Sequence, residues 1–114
     1  MAAYQDRLIL RIYVEETERC GDESVCRRIV ESAKRHGLAG ASVVRGFVGF
    51  GRSGQIHRAT LRKSTNRPPV IIQIVDCPEK IESFASGLED LKEGGLVTIQ
   101  RVAAAQIPSC AKGD

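Results

Sequence analysis

The chain has 114 residues, of which 42% are hydrophobic and 27% are charged, and its formal net charge is +3. A chain of this length can bury one hydrophobic core but is too short for a dehydrogenase with separate nucleotide and substrate domains. Because it contains neither an apolar run that could span a membrane nor a basic region followed by an apolar stretch, we expect a cytoplasmic protein without membrane insertion.

Three elements are predicted in the first part of the chain. Apolar residues alternate over residues 6–14, which is typical of a half-buried strand. Ser24 is the expected N-cap of an amphipathic helix, whose last turn is basic and which ends at Gly37. The β-branched and apolar segment from about 41 to 48 predicts a second strand.

A long basic segment connects the second and third predicted strands. Residues 49–69 show neither helical nor strand periodicity, which predicts a long basic loop, with a hairpin that extends the flanking strands as an alternative. The apolar run VIIQIVD, residues 70–76, then predicts a strand that is buried on both faces. No acidic residue lies between Ser32 and Val75, so we expect this part of the chain either to bind an anion or to form a solvated basic face.

A second helix and a fourth strand complete the predicted elements. Pro78 stands near the first helical position, an apolar stripe follows at helical spacing, and the helix is expected to end at Gly94. Asp76 is the expected cap of this helix. Residues 96–107 predict the last strand, and the shift of their alternation near Gln100 predicts a bulge or a second buried face.

The order strand, helix, strand, strand, helix, strand predicts an α+β fold of the ferredoxin-like βαββαβ type, with a four-stranded antiparallel sheet and two helices on one face. We expect a single domain over residues 1–114, with its core in about 6–105. The other face of the sheet would then be bare. Apolar side chains of the first and third strands are expected on it: Ile9, Tyr13, Ile71 and Val75. An uncovered apolar sheet face predicts a homo-oligomer.

The segment GFGRSG, residues 49–54, matches the G-x-G-x-x-G pattern of dinucleotide-binding folds. In those folds the pattern opens a helix, but the following QIHRATLRKSTNRPP has no apolar stripe with which a helix could pack on a sheet. Two interpretations remain, because the glycines form either a backbone nest for an anion or a flexible exit from a hairpin. In the first case, the cations nearest in sequence would contact a phosphate: Arg45, Arg52, His57 and Arg58.

Residue patterns that indicate catalysis or metal binding are missing from the sequence. His57 has no serine, cysteine or aspartate in a triad-like arrangement, and no paired carboxylates suggest acid and base roles. The four cysteines form no C-x-x-C pair, and neither histidine lies at ligand spacing from two of them. We therefore expect no enzyme activity, no metal and no required cofactor.

Four segments carry a resemblance to a known family: HGLAGASVVRGFVGFGRSGQIHRA, RPPVIIQIVD, EKI and GGLVTIQRV. Together and in order they resemble the PII-like family known as domain of unknown function 190 (UPF0166), and the likeness runs from about Leu8 to Val102. The resemblance implies a ferredoxin-like fold, a PII-like homotrimer whose sheets pack inward, and adenine nucleotides bound in clefts between subunits. It also implies a regulatory role, with a membrane transporter or ion channel as a partner.

The resemblance also locates an expected nucleotide site. In PII proteins the cleft is built from the base of the long loop after the second strand and from a short loop before the last strand. The first element corresponds to Gly49, Gly51 and Arg52, and the second corresponds to Gly94 and Gly95. The complete set of expected ligand-binding residues is Arg45, Gly46, Gly49, Gly51, Arg52, His57, Gly94 and Gly95.

Two departures from PII proteins bear on the identity of the ligand. The PII loop before the last strand carries a Gly-Asp-Gly-Lys run, where this chain has KEGGL. The C-terminal Arg-Thr-Gly motif of PII proteins is also absent. Because the lysine expected on a phosphate is missing, AMP or ADP is favoured over a triphosphate as the effector.

Three hypotheses for the function follow. The leading one is a PII-like signalling protein that binds an adenine nucleotide and controls a transporter or another partner. The alternative is a nucleic-acid-binding module that uses the basic segment 34–67, although the few aromatic residues offer little surface for stacking bases. A small enzyme ranks last, because no nucleophile can be named.

Overall fold

The computed structural model describes residues 3–15, 25–46, 48–50, 56–58, 69–90 and 94–108, and for 48–50 and 56–58 it describes the backbone. Its strands are β1 (Gln5–Glu15), β2 (Ser42–Arg45), β3 (Val48–Phe50), β4 (Ile56–Arg58), β5 (Pro69–Asp76) and β6 (Leu96–Ala104). Its helices are α1 (Val25–Arg35) and α2 (Pro78–Gly87), and a 3-10 turn, Leu88–Asp90, follows α2.

Four of the strands form an antiparallel sheet in the order β2-β5-β1-β6. Within it, Tyr13 of β1 lies opposite Ile71 of β5 on one side and opposite Leu96 of β6 on the other. β3 and β4 form a separate two-stranded hairpin, in which Gly49 lies opposite His57. The α+β, ferredoxin-like prediction is therefore confirmed, and part of the predicted loop adopts the hairpin alternative. The trimer stays a prediction.

One face of the sheet and the inner faces of both helices form the hydrophobic core. Successive side chains of a strand point to opposite faces, so alternate residues of β1 and β5 are buried together. Each helix contributes residues three or four positions apart, as an amphipathic helix does. The core residues are Leu8, Leu10, Ile12, Val14, Val25, Ile29, Ala33, Leu38, Val70, Ile72, Ile74, Ile81 and Phe84.

Neither described helix covers the opposite surface of the sheet, which we call the open face. Its central side chains, assigned from the strand registers, are those of Ile9, Arg11, Tyr13, Val44, Ile71, Gln73, Val75, Leu96, Thr98 and Gln100. On β5 the residues of this face are half-buried, whereas those of the helix side are buried. In a single chain this strand is therefore fully buried on one face only, because both helices lie on the same side of the sheet, and burial of its second face stays a prediction.

Three local expectations for the second half of the chain differ from the structure. The last residue of α2 is Gly87 rather than one near Gly94, and glycine is a poor helix former. The N-cap of α2 is Cys77, so Asp76 is not the cap. The pairing of β6 with β1 is uninterrupted through Gln100, and no bulge occurs there.

The helix of the first half ends as its sequence predicts. Gly37 follows α1 with a φ of 79°, a conformation that residues with a side chain rarely adopt. The predicted cap Ser24 lies outside the described residues. Within the described ranges, neither α1 nor α2 is long and apolar enough to cross a membrane.

Candidate functional site

Most of the expected ligand-binding residues that the structure describes lie near one end of the sheet, which we call the loop end. Because the strands are antiparallel, β1 and β2 finish there, and β5 and β6 begin there. Arg45 and Gly46 come at the finish of β2, and Gly94 and Gly95 come directly before β6. The fold thus brings two sequence-distant parts of the expected site to the same end of one sheet.

Gly46 fixes the point where the chain leaves β2. Its backbone N–H donates a hydrogen bond of 2.6 Å to the carbonyl oxygen of Pro69, the first residue of β5. A Cβ atom at position 46 would lie 2.7 Å from Pro69 Cγ and 3.3 Å from the Pro69 carbonyl oxygen. The close approach of Gly46 to Pro69 therefore requires a residue without a side chain, which gives a structural reason for the glycine that follows Arg45.

The base of the long loop is described only in part. Gly49 lies within β3 and pairs with His57 of β4, so this glycine belongs to a hairpin strand. Gly51 and Arg52 lie outside the described residues. The interpretation of this segment as an anion-binding nest therefore stays a prediction for Gly51 and Arg52.

The turn before β6 is the second described part of the expected site. Gly94 and Gly95 have φ values of 79° and 153°, both in the range that favours glycine. A Cβ atom at position 95 would lie 2.9 Å from the carbonyl oxygen of Tyr13 and 3.1 Å from Val14 Cγ1. The turn can therefore pass close to the backbone of β1 only because position 95 has no side chain.

These two parts of the site occupy opposite edges of the sheet. β2 and β6 are its outermost strands, with β5 and β1 between them. Adjacent strands lie about 4.8 Å apart, so the three intervals place the two edges about 14 Å from each other. Within one chain, Gly46 and Gly95 therefore flank the loop end and do not face each other across one cleft.

Asp76 and Lys80 lie toward the other end of the sheet, after β5. The Asp76 carboxylate accepts hydrogen bonds from the backbone N–H of Cys77, at 2.7 Å, and of Ala39, at 2.9 Å. Lys80 Nζ donates to the carbonyl oxygen of Gly37 at 3.2 Å. These contacts give the D-(x)3-K spacing a structural role, because both side chains hold the turn after α1 against the start of α2.

The environment of Asp76 shifts its ionisation. Burial acts to raise the pKa of the Asp76 carboxyl, but the backbone hydrogen bonds from Cys77 and Ala39 and the charge of Lys80 outweigh burial. The pKa is therefore lowered from its ordinary value of 3.8. A charged carboxylate at this position is the form that the fold stabilises.

A polar cluster on the open face is a feature that the sequence analysis missed. Arg11 Nε donates to Gln73 Oε1 at 2.9 Å, and Arg11 Nη1 donates to Gln100 Oε1 at 2.9 Å. These side chains belong to three neighbouring strands of the sheet. No sequence pattern links residues so far apart, and only the strand register brings them together.

Comparison with known proteins gives three matches in keeping with this fold. Residues 7–104 match the family model DUF190, described as "Uncharacterized ACR, COG1993". The chain is 33% identical over 94 residues to a UPF0166 protein of Aquifex aeolicus (strain VF5), a match that covers 82% of this chain and 89% of the relative. It is 37% identical over 92 residues to a UPF0166 protein of Methanocaldococcus jannaschii, covering 80% and 84% of the two chains.

A solved structure agrees with the fold over most of its length. CPII, a nitrogen regulatory PII-like protein from Thiomonas intermedia K12, superposes with a TM-score of 0.70 at 15% sequence identity. The match covers 90% of this chain and 92% of CPII. The resemblance expected from the sequence motifs is confirmed: the chain belongs to the DUF190 (UPF0166) family and has the fold of PII-like proteins.

Proposed function

We propose that this protein is a PII-like regulatory protein that binds an adenine nucleotide, AMP or ADP, between copies of itself and thereby controls a transporter or another partner. The observation that supports it best is the placement of Gly46 and Gly95 at the same end of the sheet but on opposite edges. Each chain would supply the Gly46 part of one cleft and the Gly95 part of another, and a neighbouring copy would bring the β2 edge of one chain to the β6 edge of the next.

Exposed apolar side chains at both edges support the assembly of copies. Val44 on β2 is 53% exposed, and Leu96 on β6 is 59% exposed. A head-to-tail contact between identical chains closes into a ring when its rotation allows, and such a ring buries both edges at once. A homotrimer, as the family resemblance implies, is the ring that we propose.

The chemistry of the loop end suits a nucleotide with few phosphates. Glycines let backbone N–H groups approach a phosphate closely, and an arginine adds charge-assisted hydrogen bonds. Arg45 is exposed at the finish of β2, and Arg52 and His57 belong to the same loop base in sequence. Structures of CPII contain ADP, AMP and bicarbonate, which supports AMP or ADP as the ligand class for a protein with this fold.

The proposed regulation acts through the loop 49–69. A nucleotide bound at the base of this loop would change which conformations the loop adopts, and the loop would present them to a partner protein. Nucleotide and partner then change the affinity of each other by the same factor. This role requires no chemical step, so the protein would act as a sensor rather than as an enzyme.

Isothermal titration of the assembled protein with AMP, ADP, ATP and cyclic AMP tests the proposal. We expect AMP or ADP to bind more tightly than ATP, with a stoichiometry close to one per chain. A short single-stranded DNA or RNA, titrated at low and high salt, tests the nucleic-acid alternative, which predicts binding that weakens steeply with salt. Failure of every nucleotide to bind at millimolar concentration would refute the sensor role.

A further inference from the structure

The Arg11 cluster, formed by Arg11, Gln73 and Gln100, lies at the centre of the open face. Arg11 is near the middle of β1, and the two glutamines are near the middle of β5 and β6. The guanidinium is held by two hydrogen bonds of 2.9 Å, one to each glutamine side-chain oxygen. The cluster therefore connects three neighbouring strands of the sheet.

The surroundings of the cluster are apolar along the strands, and Ser42 and Thr98 lie beside it across the strands. Along the strands, Ile9 and Val75 flank it on one side, and Tyr13, Ile71 and Leu96 flank it on the other. Such a surface resembles an interface core with one charged group at its centre, where desolvation of a charge is costly.

The charge of Arg11 has only neutral acceptors among the described residues. Both of its hydrogen bonds go to amide oxygens. Glu15 is on the same face, but four residues along a strand span about 13 Å, which is too far for an ion pair. A guanidinium also has more N–H donors than these two bonds use, and each glutamine amide adds further donors. The cluster is therefore positive and rich in donors.

We propose that, in the homo-oligomer, the Arg11 clusters of neighbouring copies converge and together bind a small oxyanion of the phosphate or sulfate class. This inference rests on the proposed assembly of copies. When open faces turn inward around a symmetry axis, the centre of each face approaches that axis. Like charges would then meet in a desolvated space, which is unfavourable unless a counter-charge is present. An oxyanion supplies both the negative charge and the acceptors that the donors need.

A second copy fits this face better than an unrelated acidic protein. Val44 and Leu96 are exposed on the same face as the cluster but on opposite edges of the sheet. A partner that covers the centre alone would leave both edges in water. A ring of identical chains covers the centre and both edges together.

Sedimentation velocity without nucleotide tests the proposal. The assembly of wild-type protein is compared in chloride, sulfate and phosphate at matched pH and ionic strength. The variant Arg11→Met removes the charge and keeps an unbranched, flexible side chain. Arg7→Met is the matched control, because Arg7 is on the same strand and face but at the strand end, where it bonds to Asp6 and Gln5.

For wild-type protein and Arg7→Met, we expect the concentration at half-assembly to be about tenfold lower in sulfate or phosphate than in chloride. For Arg11→Met, we expect the same value in all three salts, and assembly in chloride at least as tight as that of wild type, because the repulsion is gone. The double variant Gln73→Leu with Gln100→Leu keeps the charge of Arg11 but removes both hydrogen bonds that hold its guanidinium. We expect sulfate to lower its half-assembly concentration less than it does for wild type.

Each of three results would overturn the proposal: no anion response in wild type, an undiminished response in Arg11→Met, or a monomer at all concentrations. Titration of Arg11→Met with AMP separates this site from the nucleotide site, since Arg11 lies at the middle of the sheet rather than at the loop end. We expect wild-type AMP affinity in this variant. Loss of AMP binding by every protein alongside a normal anion response would reject the nucleotide proposal and leave the oxyanion site in place.

Discussion

The backbone N–H of Ala39 donates a hydrogen bond of 2.9 Å to Oδ2 of Asp76, 37 residues further along the chain. The other carboxylate oxygen accepts from the N–H of Cys77 at the start of α2. A single side chain thus joins the turn after α1 to the beginning of α2. This bond gives Asp76 a role in stability that is independent of any ligand.

Replacement of this carboxylate should lower stability in a pH-dependent way. We expect Asp76→Ala to reduce the free energy of unfolding by about 1–2 kcal/mol at neutral pH, because it leaves backbone donors without their acceptor. The folded-state pKa of Asp76 is lowered, so its contribution is complete above the ordinary value of 3.8 and is lost as pH falls through the lower folded value. Urea unfolding at neutral and acidic pH measures both effects.

The exposed Glu82 of α2 provides a control for this prediction. We expect Glu82→Ala to change the free energy of unfolding by less than about 0.5 kcal/mol at neutral pH. The difference in the free energy of unfolding between wild type and Asp76→Ala should become smaller below pH 3.8. If this difference in the free energy of unfolding stays constant as the pH is lowered, the charge of Asp76 is not what stabilises the turn.

Elements with local signals could be predicted from the sequence, and contacts between distant strands could not. The alternation of Leu8, Leu10 and Ile12 is enough to identify β1, and Gly37 marks the end of α1. The partner of Asp76 is Ala39, which no spacing rule connects to it, so the sequence suggested a helix cap instead.

In the candidate site, too, the sequence identifies individual residues but not the contacts that they make. The family motifs pointed to Gly46 and Gly95, but the reasons for a glycine at each are the ring of Pro69 and the backbone of Tyr13. These neighbours are known only from the packing of β2 on β5 and of the turn before β6 on β1. The placement of the two glycines on opposite edges depends on strand order, which motifs do not contain.

Substitution of Gly95 should impair the turn before β6. In Gly95→Ala, the new Cβ meets the carbonyl oxygen of Tyr13 at 2.9 Å, and the φ of 153° is unfavourable for alanine. We expect stability to fall by about 1–3 kcal/mol and AMP affinity to fall about tenfold, because the turn must move away from β1. Thermal unfolding and isothermal titration measure the two effects.

Gly40 is the matched control, since a Cβ there would have no atom within 4 Å outside its chain neighbours. Gly40→Ala should leave both stability and AMP affinity close to the wild-type values. If Gly95→Ala binds AMP normally while its turn is displaced, the turn before β6 does not belong to the nucleotide site.

The contact between Gly46 and Pro69 can be tested with a compensating change. Gly46→Ala places a Cβ 2.7 Å from Pro69 Cγ, so β2 and β5 must separate at the base of the loop. We expect AMP affinity to fall about tenfold for a displacement of this size. The double variant Gly46→Ala with Pro69→Ala removes the colliding Cγ, and recovery of most of the affinity is expected. An unimproved double variant would mean that the collision is not the cause.

Charges placed on the sheet edges should block assembly. Val44→Asp and Leu96→Asp each put a carboxylate into a contact that we propose to be apolar, and we expect both variants to be monomers in sedimentation experiments. Ile107→Asp is the control, because Ile107 is exposed but lies beyond the end of β6.

A mixture of the two edge variants gives a sharper result. The Val44→Asp chain keeps an intact β6 edge, and the Leu96→Asp chain keeps an intact β2 edge. In a head-to-tail arrangement these edges can form one good contact, so we expect dimers in the mixture and no closed ring. Full rings in either variant alone would refute the proposed role of the edges.

Two residues of the loop base, Gly51 and Arg52, lie outside the described residues and give the last prediction. Arg52→Glu replaces an expected phosphate contact with a repulsive charge, and we expect AMP affinity to fall about ten- to a hundredfold. Gly51→Val should weaken binding by restricting the backbone of the same segment. Arg101→Glu is the charge control, since Arg101 lies on β6 away from the loop end and pairs with Asp6. Both loop variants should assemble as wild type does. Loss of the oligomer in either variant would show that the loop base is needed for the contact between subunits itself and not only for the nucleotide.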